Sequence, residues 1–174
     1  MSHKTIGLCL IVKNEAHIIT RCLEHARRLI DYVLIVDTGS SDGTQQVIRD
    51  YLEREKLPGQ VVDEPWRDFA YNRTFALNAL RSVKEVDYRL MIDADTIIHY
   101  DQGFDAKQFK SNLHHDIYQV RMHHGDLRYY LPWMTRNRLN CHYKGVLHKF
   151  LEAPKSTTRG SVEVFWFVPV QDSA

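Results

Sequence analysis

The sequence predicts an α/β fold: a mostly parallel sheet with helices on both faces, followed by a smaller antiparallel part. Three observations predict it. Over the first hundred residues, short apolar runs alternate with segments of helical period, the order that builds parallel βα units. After residue 100 the chain changes to longer strand-like stretches joined by a turn. The ends of the first four apolar runs all carry polar or charged residues, as expected where a parallel sheet presents its carboxyl edge to a ligand.

The elements follow in order. TIGLCLIV is almost continuously apolar, as a strand buried on both faces should be. NEAHIITRCLEHARRLI places Ile18, Ile19, Cys22, Leu23, Ala26, Leu29 and Ile30 at helical spacing. YVLIVD is a second buried strand, and TGSSDGT is a turn in which Asp42 is placed to cap the next helix. That helix, TQQVIRDYLERE, carries Val47, Ile48, Tyr51 and Leu52 on one face and is stopped by LPG. QVVDEP is a short third strand, FAYNRTFALNALRSV a third helix and YRLMID a fourth strand. Beyond residue 100, DAKQFKSNLH reads as a short helix. DIYQVRMHHGDLRYYLPWMTRN reads as two strands turning at His124-Gly125-Asp126. SVEVFWFVPV reads as a strand that Pro169 assigns to an edge or a terminal position. With no linker, repeat or low-complexity segment, residues 1–174 read as one domain with halves at 1–100 and 101–174.

Composition narrows the function. A net charge of +1 gives no support to nucleic-acid or membrane-surface binding. Three widely spaced cysteines, Cys9, Cys22 and Cys141, form neither a disulfide framework nor a zinc spacing. They read as buried thiols in a reducing, cytoplasmic setting. The apolar run from Ile6 to Val12 is too short to span a membrane and ends in Lys13-Asn14-Glu15 rather than a cleavage site.

The chemistry concentrates at RLMIDADTII. On a strand, Asp93 and Asp95 would face one way, and at about 6 Å two carboxylates repel by roughly 3 kcal/mol. A divalent oxygen-loving cation such as Mg²⁺ or Mn²⁺ shared with substrate phosphates would offset this; a solvated strand end is the plain alternative. In VDTGSSDGT, Gly39 and Gly43 permit a tight open loop, and the helix after it offers free N–H groups to an anion. Asp37 has no capping role there and could accept hydrogen bonds from a base or ribose. A G-x-G-x-x-G pattern is absent, so a dinucleotide fingerprint is unsupported. Arg73 lies early in the third helix, against the dipole preference, which a nearby phosphate would relieve; a surface arginine is the plain reading. The adjacent pairs His114-His115 and His123-His124 would point to opposite faces of strands and make no chelate. His148, near Gly145, is placed to complete a site built by Asp95. Trp66, Trp133, Tyr129 and Tyr130 are packing residues or platforms for a sugar ring.

The stretches LCLIVKNEAHIITRCLEHARRLIDYVLIVDTGSSDGTQQVI, DFAYNRTFALNAL, YRLMIDADTII and RNRLNCHYKGVLHKFLE, in this order from about Ile6 to Glu152, resemble the successive blocks of family 2 glycosyltransferases. The resemblance implies the Rossmann-like GT-A fold. It implies an inverting, hexosyltransferase-type transfer, in glycan biosynthesis, from a nucleoside diphosphate sugar, by analogy a UDP-sugar. The acceptor would be a glycan, lipid or protein hydroxyl, and Mn²⁺ or Mg²⁺ would assist. Val12, Asn14 and Glu15 would lie around base and ribose, and Asp37 would bind the nucleoside. Arg73 would approach the uracil or diphosphate. Asp93 would face ribose and metal, and Asp95 would bind the metal. His148 would sit near metal and diphosphate.

The sequence departs from the family pattern at His148-Lys149, where related chains read His-Glu. The acceptor hydroxyl needs a base, and Glu152, Asp126 or a shifted side chain are the candidates to replace the missing carboxylate. Set against the family, the end of the chain is short, so it reads as part of a longer multidomain protein or as a domain that binds a nucleotide sugar and transfers weakly. A rival from another class is a haloacid-dehalogenase-like phosphatase with Asp93 as nucleophile and Asp95 as acid/base. Its motif fits MIDADTII, but three βα units precede it.

Overall fold

A computed structural model describes residues 3–145 and 150–170. The first half contains β1 (Ile6–Val12), α1 (Ile19–Ala26), β2 (Tyr32–Asp37), α2 (Thr44–Arg54), β3 (Gly59–Asp63), α3 (Phe69–Arg81) and β4 (Tyr88–Met91). The second contains β5 (Thr96–Tyr100), α4 (Ala106–Ser111), β6 (Ile117–His124), β7 (Leu127–Arg136), β8 (His142–Lys144), β9 (Phe150–Glu152) and β10 (Arg159–Pro169). Eight strands form one sheet in the order β3-β2-β1-β4-β7-β6-β10-β5, and β8 and β9 form a separate antiparallel pair. Within the large sheet only β7 and β5 run against the others, so it is mostly parallel. No described helix is long and apolar enough to cross a membrane.

Strand periodicity explains the two-layered core. In β1, Ile6, Leu8, Leu10 and Val12 face the core under α1 and α2, while Cys9 joins Leu34, Val36 and Met91 under α3. Both faces are covered, which is why the run is apolar at every position. α3 approaches β1 so closely that a Cβ on Gly7 would lie 3.1 Å from a Leu80 methyl. The three cysteines are buried and free, and burial pushes the Cys9 and Cys22 thiols up to about 12.

The structure departs from the sequence reading in several places. β4 ends at Met91, so Asp93 and Asp95 lie in a turn, not on a strand pleat. β5 follows at once, a short edge strand that periodicity did not separate from β4. β10 is not an edge strand, being flanked by β6 and β5, but Pro169 does close it. The N-cap position of α2 is Gly43, in the left-handed region, not Asp42, although Asp42 still accepts the Thr44 N–H at 3.0 Å. His114 and His115 precede β6, and their rings lie together with centroids 4.1 Å apart.

Candidate active site

The loops after β1, β2, β3 and β4 meet at one rim, and side chains clasp them together. Thr38 donates its backbone N–H to the Val12 carbonyl at 2.9 Å and its hydroxyl at 3.0 Å. Asn14, in the left-handed region (φ 54°), donates its N–H to Ser40 Oγ at 2.8 Å and accepts the Ser41 N–H at 2.8 Å. The Glu15 and Ala16 N–H groups donate to Thr44 Oγ1 and Asp42 Oδ2. Asn14 is therefore a bracket between loops, and its side chain is already committed.

Asp37 is buried, with 1% of its surface exposed. Its Oδ1 accepts the N–H groups of Gly39 and Ser40 at 2.8 and 2.7 Å, so it does cap the loop, contrary to the sequence reading. Its Oδ2 is buried with no hydrogen-bond partner in the described structure. An unpaired buried carboxylate oxygen is costly unless a donor reaches it. A ribose hydroxyl or base N–H is a donor of the right kind.

Arg73 is not a surface residue. It is buried, and its Nη2 donates to Asp93 Oδ1 at 2.7 Å. Its guanidinium lies 5.6 to 5.8 Å from the ring centres of Phe69, Trp133 and Tyr143, so rings from three elements fix its plane. Its Nε is buried without a partner. The dipole conflict noted in the sequence is relieved by Asp93, across the rim.

Asp93 to Asp95 form a turn closed by the Thr96 N–H on the Asp93 carbonyl at 3.0 Å. The Val170 N–H donates to the Asp95 carbonyl at 2.9 Å, which brings the end of β10 to the rim. Burial raises the Glu15 carboxyl above its ordinary value; His17 opposes this, and the charges of Asp95, Asp42 and Asp93 add to it. Acidic groups from three loops thus share one field. Among the described residues no three His, Cys, Asp or Glu side chains converge to hold a metal. The donor set fits Mg²⁺ or Mn²⁺ in the shared mode, in which one or two carboxylates bind and substrate phosphates complete the shell.

Beside the acidic turn, a cleft of about 310 Å³ is lined by Val12, Lys13, Glu15, Thr38, Trp66 and Phe69, together with Ile11. Trp66 and Phe69 meet edge to face at 4.7 Å and stay exposed. Trp133 instead packs on Arg73 and Phe167, while Tyr130 bonds Glu163 through its hydroxyl.

The remaining candidates lie elsewhere. His148 and Lys149 fall outside the described residues. Glu152, on β9, is ion-paired with Lys144 at 2.5 Å and His142 at 3.0 Å. The Lys144 ammonium, with help from His142, holds its carboxyl below the ordinary range. Asp126 is exposed in the β6–β7 turn.

Sequence reasoning missed three residues. Asn72 is fully buried; it accepts the Arg67 N–H at 2.9 Å and donates to the Pro65 carbonyl at 3.2 Å, fixing the loop that carries Trp66. Tyr143 is tied to α3 by its N–H on Thr74 Oγ1 at 2.9 Å and walls Arg73. Arg89 is buried and gives its donors to Thr135 Oγ1, to Cys141 Sγ and to the carbonyls of Leu77, Asn137 and Leu139. Only Arg89 carried a signal, a charge inside an apolar run.

The sequence model of Glycosyl transferase family 2 matches residues 8–164. The chain belongs to that family. As a family 2 chain it is 28% identical over 167 residues to an uncharacterized glycosyltransferase of Rickettsia bellii, covering 91% of this chain and 52% of the relative. It is 35% identical over 68 residues to the lipopolysaccharide core biosynthesis glycosyltransferase LpsC of Rhizobium meliloti, covering 39% of this chain and 24% of LpsC. The family 2 chain spans about half the length of the Rickettsia relatives it matches. Its fold is similar to S. aureus TarS 1–349 in complex with UDP (TM-score 0.62, 18% identity, 91% of this chain and 60% of that one). It is also similar to the mannosyltransferase PcManGT of Pyrobaculum calidifontis in complex with GDP-Man and Mn²⁺ (TM-score 0.53, 21% identity, 69% of this chain and 36% of that one). The expected GT-A fold is the one observed, and family membership removes the phosphatase reading of Asp93 and Asp95.

Proposed function

We propose that this chain binds a nucleoside diphosphate sugar across the rim and transfers the sugar, with inversion, to a hydroxyl acceptor. The observation that carries the reading is the ion pair, 2.7 Å long, between buried Arg73 and the half-exposed Asp93, with the guanidinium held among three rings beside a cluster of carboxylates. An arginine so fixed has a plane suited to phosphate oxygens.

In this reading the cleft between Val12, Thr38, Trp66 and Phe69 takes the base, uracil by family analogy. Asp37 Oδ2 accepts from the nucleoside, and Asn14 and Glu15 hold the loop around the ribose. Asp95, with Asp93 and His148, would hold Mg²⁺ or Mn²⁺ together with the diphosphate. When bound, the cation supplies charge to stabilise the leaving diphosphate. Arg73 supports the same developing charge from a site that needs no rearrangement. The acceptor hydroxyl must pass its proton to a base on the opposite face, and Glu152 or Asp126 is the candidate.

One observation favours a second reading, a domain that binds nucleotide sugar and transfers weakly. Glu152 is ion-paired and its carboxyl is held low, which weakens it as a base. Lys149→Glu separates the two readings. A large rise in transfer would mean that the missing carboxylate limits the natural protein; an unchanged rate would place the base elsewhere.

The test is an assay of UDP- and GDP-sugars with Mn²⁺, Mg²⁺ or chelator, reading nucleotide release and, by NMR, the anomeric configuration of the product. Metal-dependent release with inverted anomeric configuration is expected. Retention would overturn the inverting mechanism, and release undiminished by chelator would overturn the metal's role.

A further inference from the structure

α3 covers β1, β2 and β4. The same sheet continues through β7, β6, β10 and β5, and among the described residues no helix packs on that continuation of the α3 face. The core side of these strands is apolar: Ile98, Val120, Met122, Phe165 and Phe167 are buried. The alternate positions put His99, Trp166, Arg121, His123, Arg128 and Tyr130 on the uncovered side.

These side chains form a ladder across three strands. The His99 and Trp166 rings stack at 5.9 Å and 12°, and Trp166 and His123 stack at 5.3 Å and 22°. The Arg121 guanidinium lies 5.5 Å from the centre of the Trp166 ring. Side chains stand roughly perpendicular to a sheet, so plates stacked across strands cover one another's faces and turn their edges outward. Aromatic edges carry the positive end of the ring quadrupole. Arg121 Nε and His123 Nε2 are buried with no hydrogen-bond partner in the described structure. The carboxylate of this face, Glu163, accepts the Tyr130 hydroxyl at 2.9 and 3.1 Å. Arg128, exposed, donates to the turn carbonyls of Gly125 and Leu127. Burial, Arg128, Arg121 and His99 hold the His123 imidazole below its ordinary value, which favours the neutral ring. Two guanidinium groups against one carboxylate, with ring edges turned outward, make a surface complementary to anions.

This surface adjoins the rim. Val168 pairs with Ile97, and Val170 bonds the Asp95 carbonyl. His99 is four residues along from Asp95, about 13 Å at strand rise. That is the reach of a short oligosaccharide whose end lies at the acidic turn.

We infer that this face binds the acceptor, and that the acceptor is an anionic glycan. Its phosphate or carboxylate groups engage Arg121 and Arg128, and its hydroxyl oxygens accept from the ladder's edge. The inference rests on the glycosyltransferase reading above.

The test uses isotope-labelled protein titrated with pentamannosyl phosphate, with the same glycan after dephosphorylation, and with inorganic phosphate. NMR follows the Trp166 indole and the His99 and His123 rings. The phosphorylated glycan is expected to shift these signals with a Kd at least fivefold below that of the neutral glycan, and inorganic phosphate to bind more weakly still. Arg121→Gln and Arg128→Gln are each expected to erase most of that preference. Arg128 is exposed, so its variant keeps the fold and reads the charge alone. No shift at the ladder, equal binding of the neutral glycan, a preference unchanged in both variants, or equal binding of inorganic phosphate would each overturn the inference. UDP binding is measured on the same samples. Its failure in the wild type would remove the glycosyltransferase reading and leave the glycan result standing by itself.

Discussion

Arg73 is a cation nearly withdrawn from water, and Asp93 with three aromatic rings determines where its guanidinium points. A lysine there keeps the charge but not the plane, so Arg73→Lys is expected to lower transfer by about 100-fold. Steady-state kinetics should show the loss in kcat more than in KM, because the charge it meets develops in the transition state. Asn72 acts on structure instead. Asn72→Ala leaves a buried N–H and a carbonyl unpaired and is expected to cost about 1–3 kcal/mol in urea unfolding, with Trp66 fluorescence reporting the loosened loop. At this scale the sequence singled out residues that the structure places at the rim, and said little about their surroundings. Asp37, Arg73, Asp93 and Asp95 stood at strand ends or in a motif. The rings around Arg73 come from residues 69, 133 and 143, and nothing local links positions so far apart.

Polar side chains also join the elements. Arg89 on β4 holds the segment from Asn137 to Cys141 that leads into β8 and so to Tyr143. Arg89→Met should cost roughly 3–5 kcal/mol, since it leaves several buried acceptors unpaired. Equilibrium unfolding with unchanged slope would check it. Asp116 ties the start of β6 to Thr158 and to Arg136 on β7. The Thr158 N–H, with Arg136, holds its carboxyl below the ordinary value near 3.8. The folded value is the lower one, so its stabilisation is fully present above about pH 4 and is lost as pH falls through the folded value. Asp116→Asn should therefore flatten the acid limb of a Tm-against-pH curve and leave the limb above pH 8 unchanged. Element type was legible where the period was long and clean, as in β1, α2 and α3. The β4–β5 boundary was not, because a turn of Asp, Ala and Asp between two apolar strands has the composition of one strand.

Across the molecule, the parallel half positions the rim and the antiparallel half extends the sheet beside it. The parallel half was legible, since alternating units and chain chirality leave few arrangements. The place of β10 between β6 and β5 was not, because a strand that pairs with distant partners carries no local mark of its neighbours. The central claim is that the rim holds a nucleoside diphosphate together with a divalent cation through Asp95. It is tested most directly by thermal unfolding of wild type and Asp95→Asn with UDP, GDP and their sugars, with and without Mn²⁺. A ligand at 100 times its Kd adds about 2.7 kcal/mol to the folded state, a rise of several degrees in a domain of this size. The account predicts a Mn²⁺-dependent rise with one nucleotide that Asp95→Asn abolishes. No rise with any nucleotide, or an equal rise in the variant, would contradict it.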